Sequence, residues 1–124
     1  MDHRDRAGFE ILDVWQLARQ LSADTLPVAA TAVARHDFEM SQQLNAACLS
    51  IMSNIAEGYL RRSSKEFAYF VRIAAGSNGE VRASLYAAFD RGYLDESRLG
   101  ALIGLSNRVG QMLSALHKRL SGKA

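Results

Sequence analysis

The side chains with most chemistry to offer are four cations, Arg61, Arg62, Lys65 and Arg72, crowded around one short polar stretch that also holds Glu57 and Glu66. Guanidinium and ammonium groups grouped in this way suit phosphate oxygens, with binding driven by release of counterions. Because both signs are present, the same residues also read as helix capping and surface ion pairs. A second basic group, Lys118, Arg119 and Lys123, stands near the C-terminus, where cations complement a helix dipole or form a solvated tail. Ser50, Asn54 and Ser77 are polar positions on or beside apolar stripes, with Glu57 and Glu80 nearby in register. A buried polar group without a partner costs about 1–3 kcal/mol, so these residues are expected to be paired, either as a network fixing helix register or around a ligand.

Other reactive residues point away from catalysis. His3, His36 and His117 are far apart and lack acidic or cysteine neighbours at metal-ligand spacing. Gly76-Ser77-Asn78-Gly79 has neither the preceding strand nor the lysine of a phosphate loop. Cys48 lies among Ala46, Ala47 and Leu49 with no base in reach, so it reads as a small core hydrophobe. No enzymatic activity, metal, cofactor or small-molecule substrate is expected.

These side chains must be positioned by helices. The chain has 124 residues, 48% apolar and 23% charged, with one proline: enough for one core, and too few breaks for many short strands. Helix 1 is expected from about Phe9 to Ala34, with Val14, Ala18, Leu21, Thr25 and Val28 on one face and Pro27 as a kink or restart. Helix 2 is expected from Phe38 to about Glu57 on a seam of Met40, Leu44, Ala47, Ile51 and Ile55, ended by Gly58. Ser63 and Glu66 have capping-box spacing and open helix 3, which carries Phe67, Phe70, Ala74, Ser77, Val81, Leu85 and Ala88 towards a stop at Gly92. Asp95 caps helix 4, with Leu99, Leu102, Val109, Met112, Leu116 and Leu120 on one side. Short connections make neighbours antiparallel, so the predicted fold is all-α, an antiparallel up-down-up-down four-helix bundle over residues 9–121, between a flexible segment 1–8 and a tail 122–124. Glycines 76 and 79 cost helix 3 stability, and invite close approach of a helix from the same bundle or a neighbouring subunit.

Several strings taken together resemble one bacterial family. They are Phe9 with Val14-Trp15-Gln16 and Ala18, Ser50-Ile51 followed by Asn54-Ile55-Ala56-Glu57-Gly58, Arg62-Ser63 with Lys65-Glu66-Phe67, and Ile73-Ala74-Ala75-Gly76-Ser77 followed by Glu80. The resemblance, over Phe9 to Leu94, is to four-helix-bundle proteins encoded in 23S rRNA intervening sequences, a family that includes accessory variability determinants of diversity-generating retroelements. It implies a homopentameric ring, no enzymatic activity and, in the retroelement branch, binding of RNA together with a reverse transcriptase. The chain departs from the family pattern at Ala32, Val33 and His36, where members carry Phe-Pro and an acidic residue, and at Asn45 and Ala46, where members carry a basic pair.

Two functions follow as expectations. One is a cytoplasmic, oligomeric accessory protein that holds nucleic acid through Arg61, Arg62, Lys65 and Arg72. The other is a protein-protein scaffold ring, favoured by the formal net charge of only +2 and by the missing basic pair. Oligomerisation has support apart from the resemblance, because Trp15, Leu17, Phe70, Val71, Tyr86 and Phe89 widen the apolar stripes beyond a two-residue seam; Trp15, Phe70, Val71, Tyr86 and Phe89 are the expected interface. The charged N-terminus without a signal-peptide pattern, the lone cysteine and the lack of a ~20-residue apolar run place the chain in the cytoplasm, away from membranes.

Overall fold

A computed structural model describes residues 8–122. The expected flexible segment 1–8 and the tail 122–124, apart from Gly8 and Gly122, lie outside the described residues, as do His3 and Lys123. A 3-10 turn at Phe9–Ile11 leads into α1, Asp13–Ala34; α2 is Phe38–Leu60, α3 Ser64–Asp90 and α4 Glu96–Leu120. Contacts run α1 to α2, α2 to α3, α3 to α4 and back from α4 to α1, the square circuit of an antiparallel four-helix bundle, with α1–α4 the loosest seam and α2–α3 the tightest.

The apolar spacing accounts for what each helix buries. Val14, Ala18, Leu21, Thr25 and Val28 of α1 all face inward, as do Met40, Leu44, Ala47, Ile51 and Ile55 of α2. On α3 the buried row is Ala74, Ser77, Val81, Leu85 and Ala88, joined by Val71 and Asn78; Phe67 and Phe70 are only partly covered. α4 contributes Leu99, Leu102, Val109 and Leu116 together with Leu105 and Leu113, while Met112 and Leu120 are half-buried.

Helix ends obey local chemistry. The Ser63 hydroxyl accepts from the Glu66 amide at 3.3 Å, and the Asp95 carboxylate accepts from the Arg98 amide at 2.7 Å, each satisfying a first-turn donor that the helix leaves free. Gly92 has φ 79°, the left-handed stop expected after α3. α1 runs through Pro27 to Ala34 without a restart. One expectation needs correction. Gly58 does not end α2: it is buried inside the helix, where a Cβ would come within 2.7 Å of the Phe67 ring, and the chain turns instead at Arg62, φ 57°. Gly58 is there for the close approach of α3.

Candidate nucleic-acid interface

The antiparallel circuit brings the start of α3 beside the end of α4. Lys65 and Arg72 are seven residues apart and so share the α4-facing side of α3. Arg72 lines a depression of about 250 Å³ with His117 and Lys118 of α4, over a floor that includes Ala75, Gly110 and Ser114. Arg72 of the first basic group thus shares a surface with Lys118 of the second. The C-terminal dipole of α4 favours His117, Lys118 and Arg119 in its last turn.

The four expected cations do not form one equivalent patch. Arg61 turns to the α2 side: its Nη2 and Nε meet Glu57 Oε1 at 2.7 and 3.1 Å, its Nη1 lies 4.0 Å from Glu66, and its guanidinium stands 5.1 Å from the Phe70 ring centre. Such exposed pairs are worth about 0–1 kcal/mol, so Arg61 is weakly held rather than locked. Arg62, Lys65, Arg72, Lys118 and Arg119 are exposed and meet no carboxylate among the described residues. At the other end of the bundle, Arg91 is neutralised by Asp37 at 2.9 Å.

The polar positions divide in the same way. Ser50 and Ser77 join α2 to α3 through their hydroxyls at 2.7 Å, and Asn54 Nδ2 donates to the Ser50 carbonyl at 2.8 Å and to its Oγ at 3.1 Å. Glu57 and Glu80 are not part of this network. Glu57 is at i,i+4 from Arg61 and pairs with it, whereas Glu80 faces solvent and bonds nothing among the described residues. Every buried side-chain nitrogen and oxygen among the described residues has a partner, leaving none aimed at a ligand.

The interface expectation also changes. Val71 is 1% exposed and packs in the core, so it cannot meet another chain. Trp15 and Phe89 are half-covered against the core, with Phe9 stacked edge-on to Trp15 at 4.9 Å; Phe70 is half-buried and Tyr86 half-exposed.

Two arrangements escaped the sequence reading. Asn78 Nδ2 donates to the Ser106 carbonyl at 3.0 Å while Ser106 Oγ donates to Asn78 Oδ1 at 2.8 Å, a fully buried pair that sets the register of α3 against α4. Asn78 lies in heptad spacing with Val71 and Leu85, and that spacing was the available signal. The second is a clasp. Asp37 caps α2 through the Met40 amide at 3.2 Å and accepts from Tyr93 Oη at 2.8 Å and from Arg91 Nη1. These partners hold the Asp37 carboxyl below its ordinary value, the Tyr93 hydroxyl first, and the same bond raises Tyr93. Burial pushes the Cys48 thiol up, away from the reactive thiolate.

Among the described residues no three His, Cys, Asp or Glu side chains gather in a metal-binding group, and no helix is long and apolar enough to cross a membrane. The family model for 23S rRNA-intervening sequence protein matches residues 10–115, nearly the whole bundle. No curated protein matches the chain.

Proposed function

Since the chain belongs to the 23S rRNA-intervening sequence protein family, we propose that it is a non-enzymatic, homo-oligomeric accessory protein of the cytoplasm that holds RNA on the cationic end of its bundle. The observation that carries this reading is the depression in which Arg72 of α3 meets Lys118 of α4, both without carboxylate partners among the described residues, with Lys65 seven residues before Arg72 and Arg119 next to Lys118. A cation already paired inside the protein gains little from a phosphate; an unpaired one releases a counterion from the polyanion at each contact. The end of α3 that meets this surface is its N-terminus, whose dipole adds to the attraction. In an oligomer weak single sites do not act alone, since repetition of the surface multiplies avidity along a flexible chain. A pentamer with a reverse transcriptase as protein partner is the form that the resemblance to retroelement accessory proteins implies.

Fluorescence anisotropy with a single-stranded RNA over a range of salt tests this. Affinity is expected to fall steeply with salt, and Arg72→Ala with Lys118→Ala to flatten the log-log slope by about 1.4, two contacts at roughly 0.7 each. An unchanged slope would remove these residues from the interface. The small net charge of +2 supports a second reading, a scaffold ring that engages only protein, and absence of RNA retention at low ionic strength would select it.

A further inference from the structure

We propose that the outward face of α1 in one copy of this chain docks into the trough between α2 and α3 of the next copy. The inference rests on the homo-oligomeric reading above and names the surfaces that make the oligomer. From Ala23 to Ala34 the only charged residue is Asp24. Ala23, Leu26, Ala30 and Val33 recur at helical spacing on the solvent side, with Leu26 55% and Val33 45% exposed. An uncharged helix face of this kind is left without cover by the bundle itself.

The opposite member is a shallow trough. Gln43, Ala46, Ala47 and Ser50 form its α2 wall and Ser77, Glu80, Ala83 and Ser84 its α3 wall, around a volume of about 540 Å³. A second depression of about 250 Å³ shares Gln43, Ala83 and Ser84 and prolongs the trough to Glu39, Ala87 and Arg91, whose guanidinium is paired with Asp37. Apart from the exposed Glu80, small side chains allow the backbone of a third helix to come close, and the Ser50–Ser77 bond ties the two walls together.

Charge selects α1 of a second copy as the occupant. Along α2 the trough row begins at Glu39, passes through uncharged Gln43, Ala46 and Ser50, and ends at Glu57, about 27 Å away. Along α1 the outer face begins at Arg19, passes through uncharged Ala23, Leu26 and Ala30, and is followed by Arg35, about 24 Å away. α1 and α2 are antiparallel within a chain. When two bundles stand side by side pointing the same way, Arg19 therefore comes level with Glu57, Arg35 with Glu39, and the apolar middle with the small-residue middle. Rotation about an axis parallel to the bundles preserves that direction, and because the two faces differ the contact is head-to-tail and closes as a ring.

The test is light scattering coupled to size exclusion on the full chain, with Leu26→Glu blocking the α1 face and Ala46→Glu blocking the trough. Both residues are exposed, and circular dichroism must show that each variant keeps its helicity; Ala30→Glu and Ala83→Glu replace a variant that does not. Each variant alone is expected at the 13.6 kDa of a monomer. Mixed in equal amounts at high concentration they are expected to give a species of twice that mass and no larger, since each keeps the one face that the other lacks. A wild-type chain that is itself monomeric overturns the oligomeric reading and this inference with it. A wild-type oligomer that survives both substitutions, or a mixture that stays monomeric, overturns this pairing of faces and leaves the oligomeric reading standing.

Discussion

Gly58→Ala is expected to destabilise a helix in which alanine is normally the better residue. In an exposed helix interior the exchange would gain about 1 kcal/mol. At position 58 the added Cβ would stand 2.7 Å from Phe67 Cδ1, 2.9 Å from Phe70 Cβ and 3.3 Å from the Phe67 carbonyl oxygen. The ring can swing aside, but Phe70 Cβ and the carbonyl move only with the backbone of α3. Overpacking of that kind costs about 2–3 kcal/mol, the upper part of its usual range, so the net loss is about 1–2 kcal/mol. For a chain of this size that lowers the thermal midpoint by roughly 4–8 °C. Gly79 and Gly104 supply the control, because a Cβ at either meets nothing within 4 Å; Gly79→Ala and Gly104→Ala are each expected to raise stability by about 0.5–1 kcal/mol. Urea denaturation at one fixed protein concentration measures all three, with unchanged m-values showing that the same transition is compared. A Gly58→Ala variant as stable as either control would refute the close approach of α2 and α3 as the reason for this glycine.

The buried pair is open to a double-mutant cycle: Ser106→Ala leaves Asn78 Oδ1 without its donor and is expected to cost about 1–3 kcal/mol, with a coupling to Asn78→Ala of at least about 0.5 kcal/mol, and additive losses would mean that the two residues act separately. For the clasp, the Asp37 carboxyl titrates lower in the folded than in the unfolded chain, so its contribution is present above the ordinary carboxylate value of 3.8 and is lost as pH falls through the folded value. The denaturation midpoints of wild type and Asp37→Asn are accordingly expected to differ at neutral pH and to converge in acid; a constant difference would point to a role other than the carboxylate charge.

The fold was legible wherever apolar spacing alone decides burial. Leu44, Ile51, Val81 and Leu85 lie on inward rows and are fully buried. What spacing could not give was contact between rows. Gly58 reads as a helix stop because glycine readily takes the left-handed conformation that ends helices, and only the position of Phe67 and Phe70 on another helix shows it to be a clearance. The cations were visible one helix at a time. That Arg72 sides with Lys118 rather than with Arg61 depends on how α3 and α4 are rotated about their axes, which the Asn78–Ser106 pair governs. Val71 shows the same limit, since an apolar residue added to a stripe widens it equally well towards the core or towards a neighbour.

The clasp at Asp37 also bears on the order in which the bundle assembles. Ser50 and Ser77 are 27 residues apart and Asn78 and Ser106 are 28, so each bond joins helices that are consecutive in the chain. Asp37 reaches Arg91 across 54 residues and Tyr93 across 56, closing a loop that contains all of α2 and α3. Longer closure loses more chain entropy before any contact compensates it, so this bond is expected among the last to form. A contact absent from the transition state leaves the folding rate alone and slows only the reverse step. Asp37, Arg91 and Tyr93 are thereby expected to work as a latch on the finished bundle, so that Asp37→Asn speeds unfolding in stopped-flow measurements and leaves the folding rate unchanged.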